Sequence, residues 1–243
     1  MNVKSPTAVE NASTVNSIDW QKVYDDLDES GFALLDQLIP HEECETLTSL
    51  YPREHHFRSH IQMKRHGFGQ GEYKYFSYPL PSKIARLRKS IYPHLVPLAN
   101  KWHECMKIDI RFPKTHESFI RRCHDAGQCR PTPLLLKYGA QDFNCLHQDL
   151  YGEHVFPLQV VILLSNPTKD FTGGEFVLTE QRPRMQSRVE VVPLKKGSAA
   201  IFAVHHRPVR GTKGFYRVNM RHGVSRVRSG NRYTTGIIFH DAK

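Results

Sequence analysis

Lys137–Asp149, KYGAQDFNCLHQD, is the stretch on which the reading of this chain turns. It begins as an apolar strand, breaks at Gly139, and ends on His147 and Asp149, two residues apart. In an extended segment, side chains at i and i+2 point to the same face. An imidazole and a carboxylate on one face can hold two corners of a metal ion. Two His and one carboxylate on one side of an octahedral ion leave three positions open for other ligands.

The third ligand has to come from elsewhere, and Arg221–His240, RHGVSRVRSGNRYTTGIIFH, offers His222. The segment reads as two strands joined by a turn at Ser229-Gly230-Asn231. Arg232 opens the second strand, and Arg232, Thr234, Gly236 and Ile238 then share a face by the period-two rule. A guanidinium and a hydroxyl on the metal-facing side can take a carboxylate, Arg with a two-pronged contact. A small dicarboxylate bound to the metal at one end and to the protein at the other needs that arrangement.

The tripeptide H-x-D alone is weak: with 15 His and 11 Asp in 243 residues, chance supplies about one. His41-Glu42-Glu43 is a decoy, because it opens a predicted helix, where i and i+2 do not share a face. His205 and His206 follow the strand AAIFAV and rival His222. Cys145 shares the face of His147 by the same rule and reads as a buried thiol. Tyr138, at a strand end, reads equally as core or as site. Gly173-Gly174 reads as turn chemistry.

A chain of this length is one domain by default. The hydrophobic fraction of 39% is enough for a core. The longest aliphatic run is Val160–Leu164, too short to span a bilayer. The N-terminus is polar and lacks the apolar stretch of a signal peptide, so the expected location is cytoplasmic. Five cysteines without CxxC spacing point to reduced thiols. No G-x-S-x-G or P-loop pattern is present, which argues against a hydrolase.

The net charge of +10 is unevenly placed. Arg182–Arg232 holds ten Arg and three Lys against Glu190, a local excess of +12, whereas residues 17–50 are acidic. A basic surface around a site favours a polyanionic partner, and a merely soluble Arg-rich face is the alternative. Candidate phosphate contacts are Arg121, Arg122, Arg207, Arg210 and Arg217.

Residues 1–16 read as a disordered tail. Ser17 can cap a helix carrying Trp20, Val23, Tyr24 and Leu27 on one face, ended by Gly31. GFALL is a short strand, and Ile39-Pro40 opens a second helix through about Leu50. Residues 52–72 are neither helical nor strand-like and read as a long loop, a candidate lid over a site. KYFSYPLP is a strand ending at Pro79. A helix from Ser82 should be kinked or split by Pro93 and Pro97. Thr115 caps another through about His124. After Pro133 come LLLKY, PLQVVILLS, GEFVLTE, RVEVVPL, AAIFAV, YRVNMRH and RYTTGIIFH, separated by the turns TKDFTGG, KKGS, RPVRGTKG and RSGN. Many short strands suggest a sandwich or barrel. The chain therefore reads as a single domain over 17–243: helical support over 17–130 and a mainly β core over 131–243.

Three features together resemble the Fe(II)- and 2-oxoglutarate-dependent dioxygenases: Y-G-x(7)-H-x-D at Tyr138–Asp149, G-G-E-F at Gly173–Phe176, and H-G-V-x-x-V-x-x-G-x-R-Y-T at His222–Thr234. They cover about residues 131–241. The resemblance implies a double-stranded β-helix (jelly roll) core buttressed by helices. It implies His147, Asp149 and His222 as iron ligands, and Arg232 on the distal carboxylate of 2-oxoglutarate, with Thr234 and Tyr138 assisting. It also implies O2 as co-reactant and ascorbate as accessory reductant. The spacing resembles prolyl-hydroxylase-like members. At whole-chain level, LLLKYGAQDFNCLHQDLYGEHVFPLQ with TGGEFVLTEQRPRMQSR looks like a bacterial-type oxygenase family described as acting oxidatively on methylated, damaged DNA. That resemblance implies DNA with alkylated bases as partner, flipped out or single-stranded to reach the site. The alternatives are hydroxylation of a protein side chain, or a non-enzymatic metal-binding β-barrel module.

Overall fold

The computed structural model describes residues 15–150 and 152–243. The predicted disordered tail falls almost wholly outside the described residues, but Val15 is buried in the main core.

Four helices are present among the described residues: α1 Trp20–Ser30, α2 His41–Thr48, α3 Ser82–Cys105 and α4 His116–Asp125. The strands are β1 Phe32–Leu35, β2 Phe57–Gln62, β3 Gly69–Gln70, β4 Glu72–Phe76, β5 Leu134–Tyr138, β6 Phe143–His147, β7 Leu158–Leu163, β8 Phe171–Gly173, β9 Phe176–Gln181, β10 Arg188–Val192, β11 Ala199–Ala203, β12 His206–Gly211, β13 Gly214–Val224, β14 Val227–Gly230 and β15 Arg232–Ile237.

Two antiparallel sheets dominate. The larger runs β1-β11-β7-β15-β5-β4-β2; the smaller runs β10-β9-β13-β6-β3, with β12 paired on β13. From β5 onward the chain alternates between them: β5 in the larger, β6 in the smaller, β7 in the larger, β9 and β10 in the smaller, β11 in the larger, β13 in the smaller, β15 in the larger. That alternation makes the jelly roll the motifs implied.

The apolar runs have a direct explanation. In β7, Leu158, Val160 and Ile162 pack in the cluster that includes the helices, while Val161 and Leu163 pack in the cluster between the sheets. In β11, Ala199, Ile201 and Ala203 go one way and Ala200 and Phe202 the other. A strand buried on both faces reads as a continuous hydrophobic run.

Several local expectations are corrected. Asp19, not Ser17, caps α1, accepting from the Lys22 N–H, and Gly31 closes that helix in the left-handed region. Pro93 and Pro97 do not split α3, which runs 24 residues through both. Its buried face, from Ile84 through Ile91 and Leu95 to Trp102, offsets the two lost backbone hydrogen bonds. Thr115 caps α4 as expected, accepting from the Ser118 N–H.

Residues 52–72 are not a long loop. They hold β2, the edge of the larger sheet, and β3, the edge of the smaller, with short 3-10 turns at Glu54–His56 and Met63–His66. Half-exposed edge strands carry no clean alternation, which hid them. Three segments read as turns, RPVRG, RSG and FTG, likewise contribute β12, β14 and β8. The supporting half is therefore not purely helical: β1 to β4 extend both sheets. All five cysteines are free. Among the described residues no helix is long and apolar enough to cross a membrane.

Candidate metal centre and cosubstrate pocket

His147 ends β6, and His222 stands directly opposite it on β13. Asp149 follows two residues after the strand. One ligand atom from each of the three lies within 4.8 Å of the others. His147 Nε2 is 3.5 Å from one Asp149 oxygen, and His222 Nε2 is 3.3 Å from the other. Ligand atoms at about 2.1 Å from one ion sit about 3 Å apart when adjacent, so small rotations close the set. Among the described residues this is the only such cluster of three.

The donor chemistry fits a divalent transition metal. His147 Nδ1 donates to the Cys145 carbonyl at 2.8 Å, which leaves the Nε2 lone pair facing Asp149. Burial holds the His222 imidazole below its ordinary pKa, with His147 adding to the effect and Asp149 opposing it. A neutral imidazole is the form that ligates.

A β-bulge sets the ligand strand. Opposite His222 and Val224, β6 presents His147 and Asn144, three residues apart instead of two. The extra residue turns both Asn144 and His147 into the cavity and leaves Cys145 and Leu146 exposed. Cys145 is thus not the buried thiol that strict alternation implied.

The three residues line a cavity of about 190 Å³ together with Tyr138, Asn144, Gln159, Arg232 and Thr234. Arg232 is 1% exposed, and its Nε and Nη1 have no partner among the described residues. Burial pulls its pKa down to about 10. An unpaired buried guanidinium is costly, and an anion in the cavity relieves that cost. The ring of Tyr138 lies 5.5 Å from the guanidinium carbon, and Asn144 donates to the Tyr138 hydroxyl at 3.4 Å. Burial pushes the Tyr138 phenol up, so it stays protonated. Thr234 is buried beside Arg232, and Gly236 continues the same face; Ile238 lies beyond the strand and does not line the cavity.

The rival histidines take no part: the His205 and His206 rings lie tilted against each other with centroids 3.5 Å apart, outside the cavity lining. The candidate phosphate contacts divide. Arg207 is buried and bonds the Asp28 and Glu29 carbonyls and the Glu180 carboxylate. It is a structural cation, not the phosphate contact expected from the basic segment. Arg122 donates to the Arg111 carbonyl and Arg217 to the Met106 carbonyl. Arg121 and Arg210 are exposed. The basic count could not separate these, because a buried Arg and a surface Arg look alike in sequence.

Polar lining residues that the motif spacing does not single out include Asn144, Gln148 and Gln159. Gln159 had a signal, as the one polar residue inside the apolar run Leu158–Leu164.

The sequence model of an oxygenase family, described as catalysing oxidative methylation of damaged DNA, matches residues 71–242. The chain belongs to that family, and with it to the 2-oxoglutarate- and Fe(II)-dependent oxygenases. An uncharacterised protein of Mycobacterium tuberculosis, Rv2227, is 50% identical over 167 residues, 69% of this chain and 72% of its own. Among solved structures, a Pseudomonas putida prolyl-4-hydroxylase superposes with a TM-score of 0.55 at 12% identity, over 92% of this chain and 99% of its own. A Burkholderia pseudomallei oxidoreductase of the 2OG-Fe(II) oxygenase family gives 0.51 at 16% identity, over 93% of each. At such identities these two speak for the fold.

Proposed function

We propose that this oxygenase removes N-alkyl groups from nucleobases in DNA, using iron held by His147, Asp149 and His222 and 2-oxoglutarate held by Arg232. One observation carries the cosubstrate assignment: a buried guanidinium with two unpartnered N–H groups shares a cavity with the His-Asp-His cluster. A structural metal site needs no such anchor, which argues against a non-enzymatic module.

Arg232, with Nε and Nη1 unpaired, would hold the distal carboxylate, for which a guanidinium fork suits a two-pronged contact. Thr234 adds a hydroxyl, and the protonated Tyr138 walls the carboxylate side. Leu134, Leu136, Val161, Phe176 and Phe202 keep water from the reacting end. Bound iron supplies O2 chemistry that couples oxidative decarboxylation of the keto acid, to succinate and CO2, to hydroxylation of a substrate C–H. A hydroxylated N-methyl group then falls away as formaldehyde. The electron balance therefore runs towards methyl removal, although the family description speaks of methylation.

The family description and the basic C-terminal segment support a DNA substrate. Exposed Arg121 and Arg210 are the remaining phosphate candidates, joined by Arg221, exposed one residue before His222. The second reading is a protein side-chain hydroxylase. Exposed Phe68, which lines the cavity, and exposed Leu146 and Leu150, which flank the His147–Asp149 pair, favour it. Incubation with Fe(II), 2-oxoglutarate and ascorbate separates the two. Succinate with formaldehyde from a methylated oligonucleotide supports the first; a one-oxygen mass gain on a peptide without formaldehyde supports the second. Binding to DNA that is undetectable at low salt, or independent of salt, sinks the DNA reading.

A further inference from the structure

Gln159 sits on the inner face of β7, where its neighbours at i+2 and i+4, Val161 and Leu163, are apolar. It is 6% exposed. Its Nε2 donates to Asp149 Oδ2 at 2.8 Å and lies 3.4 Å from His222 Nε2. Its Oε1 is buried without a partner among the described residues, in a side chain that lines the cavity. An aliphatic residue would fill this place at less cost, since a buried carbonyl left unpaired loses its hydration.

We infer that Gln159 is a positioning residue of the metal centre. Its N–H fixes one oxygen of Asp149, so that the carboxylate ligates through the other alone, and its carbonyl oxygen receives a proton donor bound beside the metal. A carboxylate free to chelate with both oxygens would, with two imidazoles, take four of six positions. The remaining two would suffice for a bidentate keto acid and leave none for O2. By occupying Oδ2, Gln159 keeps the third position open. The carbonyl complements this: rotating the side chain would break the bond from Nε2 to Asp149, and Oε1 stays buried and unpaired in the cavity lining, ready to accept from such a donor.

This inference rests on the proposed metal role of His147, Asp149 and His222. The test is Fe(II) affinity of the metal-free full-length protein, by anaerobic calorimetry, for wild type, Gln159→Leu and Gln159→Glu, with thermal unfolding of each. The Leu variant keeps the bulk and removes both polar groups. It should fold with unchanged or higher stability and bind Fe(II) about 10- to 100-fold more weakly. The Glu variant places a second carboxylate against Asp149 and removes the N–H from Oδ2; two imidazoles, a chelating Asp149 and the added carboxylate would take five of six positions, so it should bind Fe(II) at least as tightly as wild type while losing chelation of 2-oxoglutarate by the loaded protein. Fe(II) affinity of Gln159→Leu within twofold of wild type, with lowered stability, overturns the inference and makes Gln159 a packing residue. Absence of Fe(II) binding by wild type itself overturns the metal-centre reading beneath it.

Discussion

Arg232 stands directly opposite Tyr138 across the β15–β5 pair, its guanidinium carbon 5.5 Å from the phenol ring, and both side chains are buried. The ring attracts the cation but cannot accept from its N–H groups, so the pairing leaves Arg232 short of an anion. Burial lowers its pKa to about 10, well below the ordinary guanidinium value. Below about pH 10 the charged folded form is therefore penalised relative to the unfolded chain, where the group stays protonated. Arg232→Met should raise the Tm of the ligand-free protein and abolish 2-oxoglutarate binding. Arg232→Lys should keep a charge but lose the two-pronged contact, weakening 2-oxoglutarate about 10- to 100-fold, as expected for lost charge-assisted hydrogen bonds. Calorimetric titration with 2-oxoglutarate and thermal unfolding check both. Unchanged 2-oxoglutarate affinity in Arg232→Lys would remove Arg232 from the site.

Acid should destabilise the fold through buried histidines. Burial holds His116 down to about 4, although its ring nitrogen donates to the Phe239 carbonyl. The unfolded chain takes up that proton near 6.5 and the folded one only near 4. Between those values the unfolded state binds more protons, so stability is whole above about pH 6.5 and falls as pH drops towards 4. The contribution is up to about 3 kcal/mol. His240, held to about 3, and His206, held to about 4, act with the same sign. Urea unfolding at pH 7.5 and 4.5 measures the loss. His116→Gln should show a smaller loss over that range than wild type, and an equal loss would exclude His116 as a titrating group.

Legibility in the sequence followed the physics of burial. Strands buried on both faces, such as β7 and β11, announced themselves as unbroken apolar runs. Glycine and threonine marked the ends of α1 and α4, because capping chemistry is local. The iron-ligand candidates and Arg232 were legible from spacing, and the fold brings all four to one cavity. The edge strands β2 and β3 were not legible, since their form depends on a neighbour from far along the chain. Nor was the fate of Arg207, whose partners Asp28, Glu29 and Glu180 are distant in sequence. The bulge in β6 inserts a residue that no alternation rule foresees, which is why Cys145 and Asn144 exchanged expected places.

Arg207 and Arg210 lie three residues apart and should behave oppositely. Arg207→Met leaves Glu180 buried without its cation and two carbonyls of the α1 terminus without a donor. Breaking one side of a buried pair costs about 3–5 kcal/mol. The neighbouring Arg182, 2.8 Å from Glu180, should recover part of that. Arg210 is exposed, and Arg210→Ala should change stability by less than about 0.5 kcal/mol. If the DNA reading holds, it should weaken DNA uniformly across sequences and lower the salt slope by about one. Urea midpoints and salt-dependent DNA titrations of the two variants test both halves.

The geometry of the metal cluster hangs on Gly223, beside His222. A Cβ built there would meet the Asn144 carbonyl oxygen at 2.7 Å and the Cys145 carbonyl carbon at 3.3 Å, both backbone atoms of the bulged strand. Backbone cannot swing aside as a flexible side chain can, so Gly223→Ala must push β6 away from β13. That push acts at the pairing which sets His147 opposite His222. The His147 ring is held by its own bond to the Cys145 carbonyl, so it moves with the displaced strand. The expected result is a folded protein, destabilised by about 1–3 kcal/mol through overpacking, whose Fe(II) affinity falls more than its stability suggests. By contrast Gly214→Ala, on the same strand with open space around it, should leave Fe(II) affinity intact and cost only the strain of its positive φ. Fe(II) titration of the two alanine variants decides it: equal affinities would mean that the β13–β6 spacing does not control the ligand geometry.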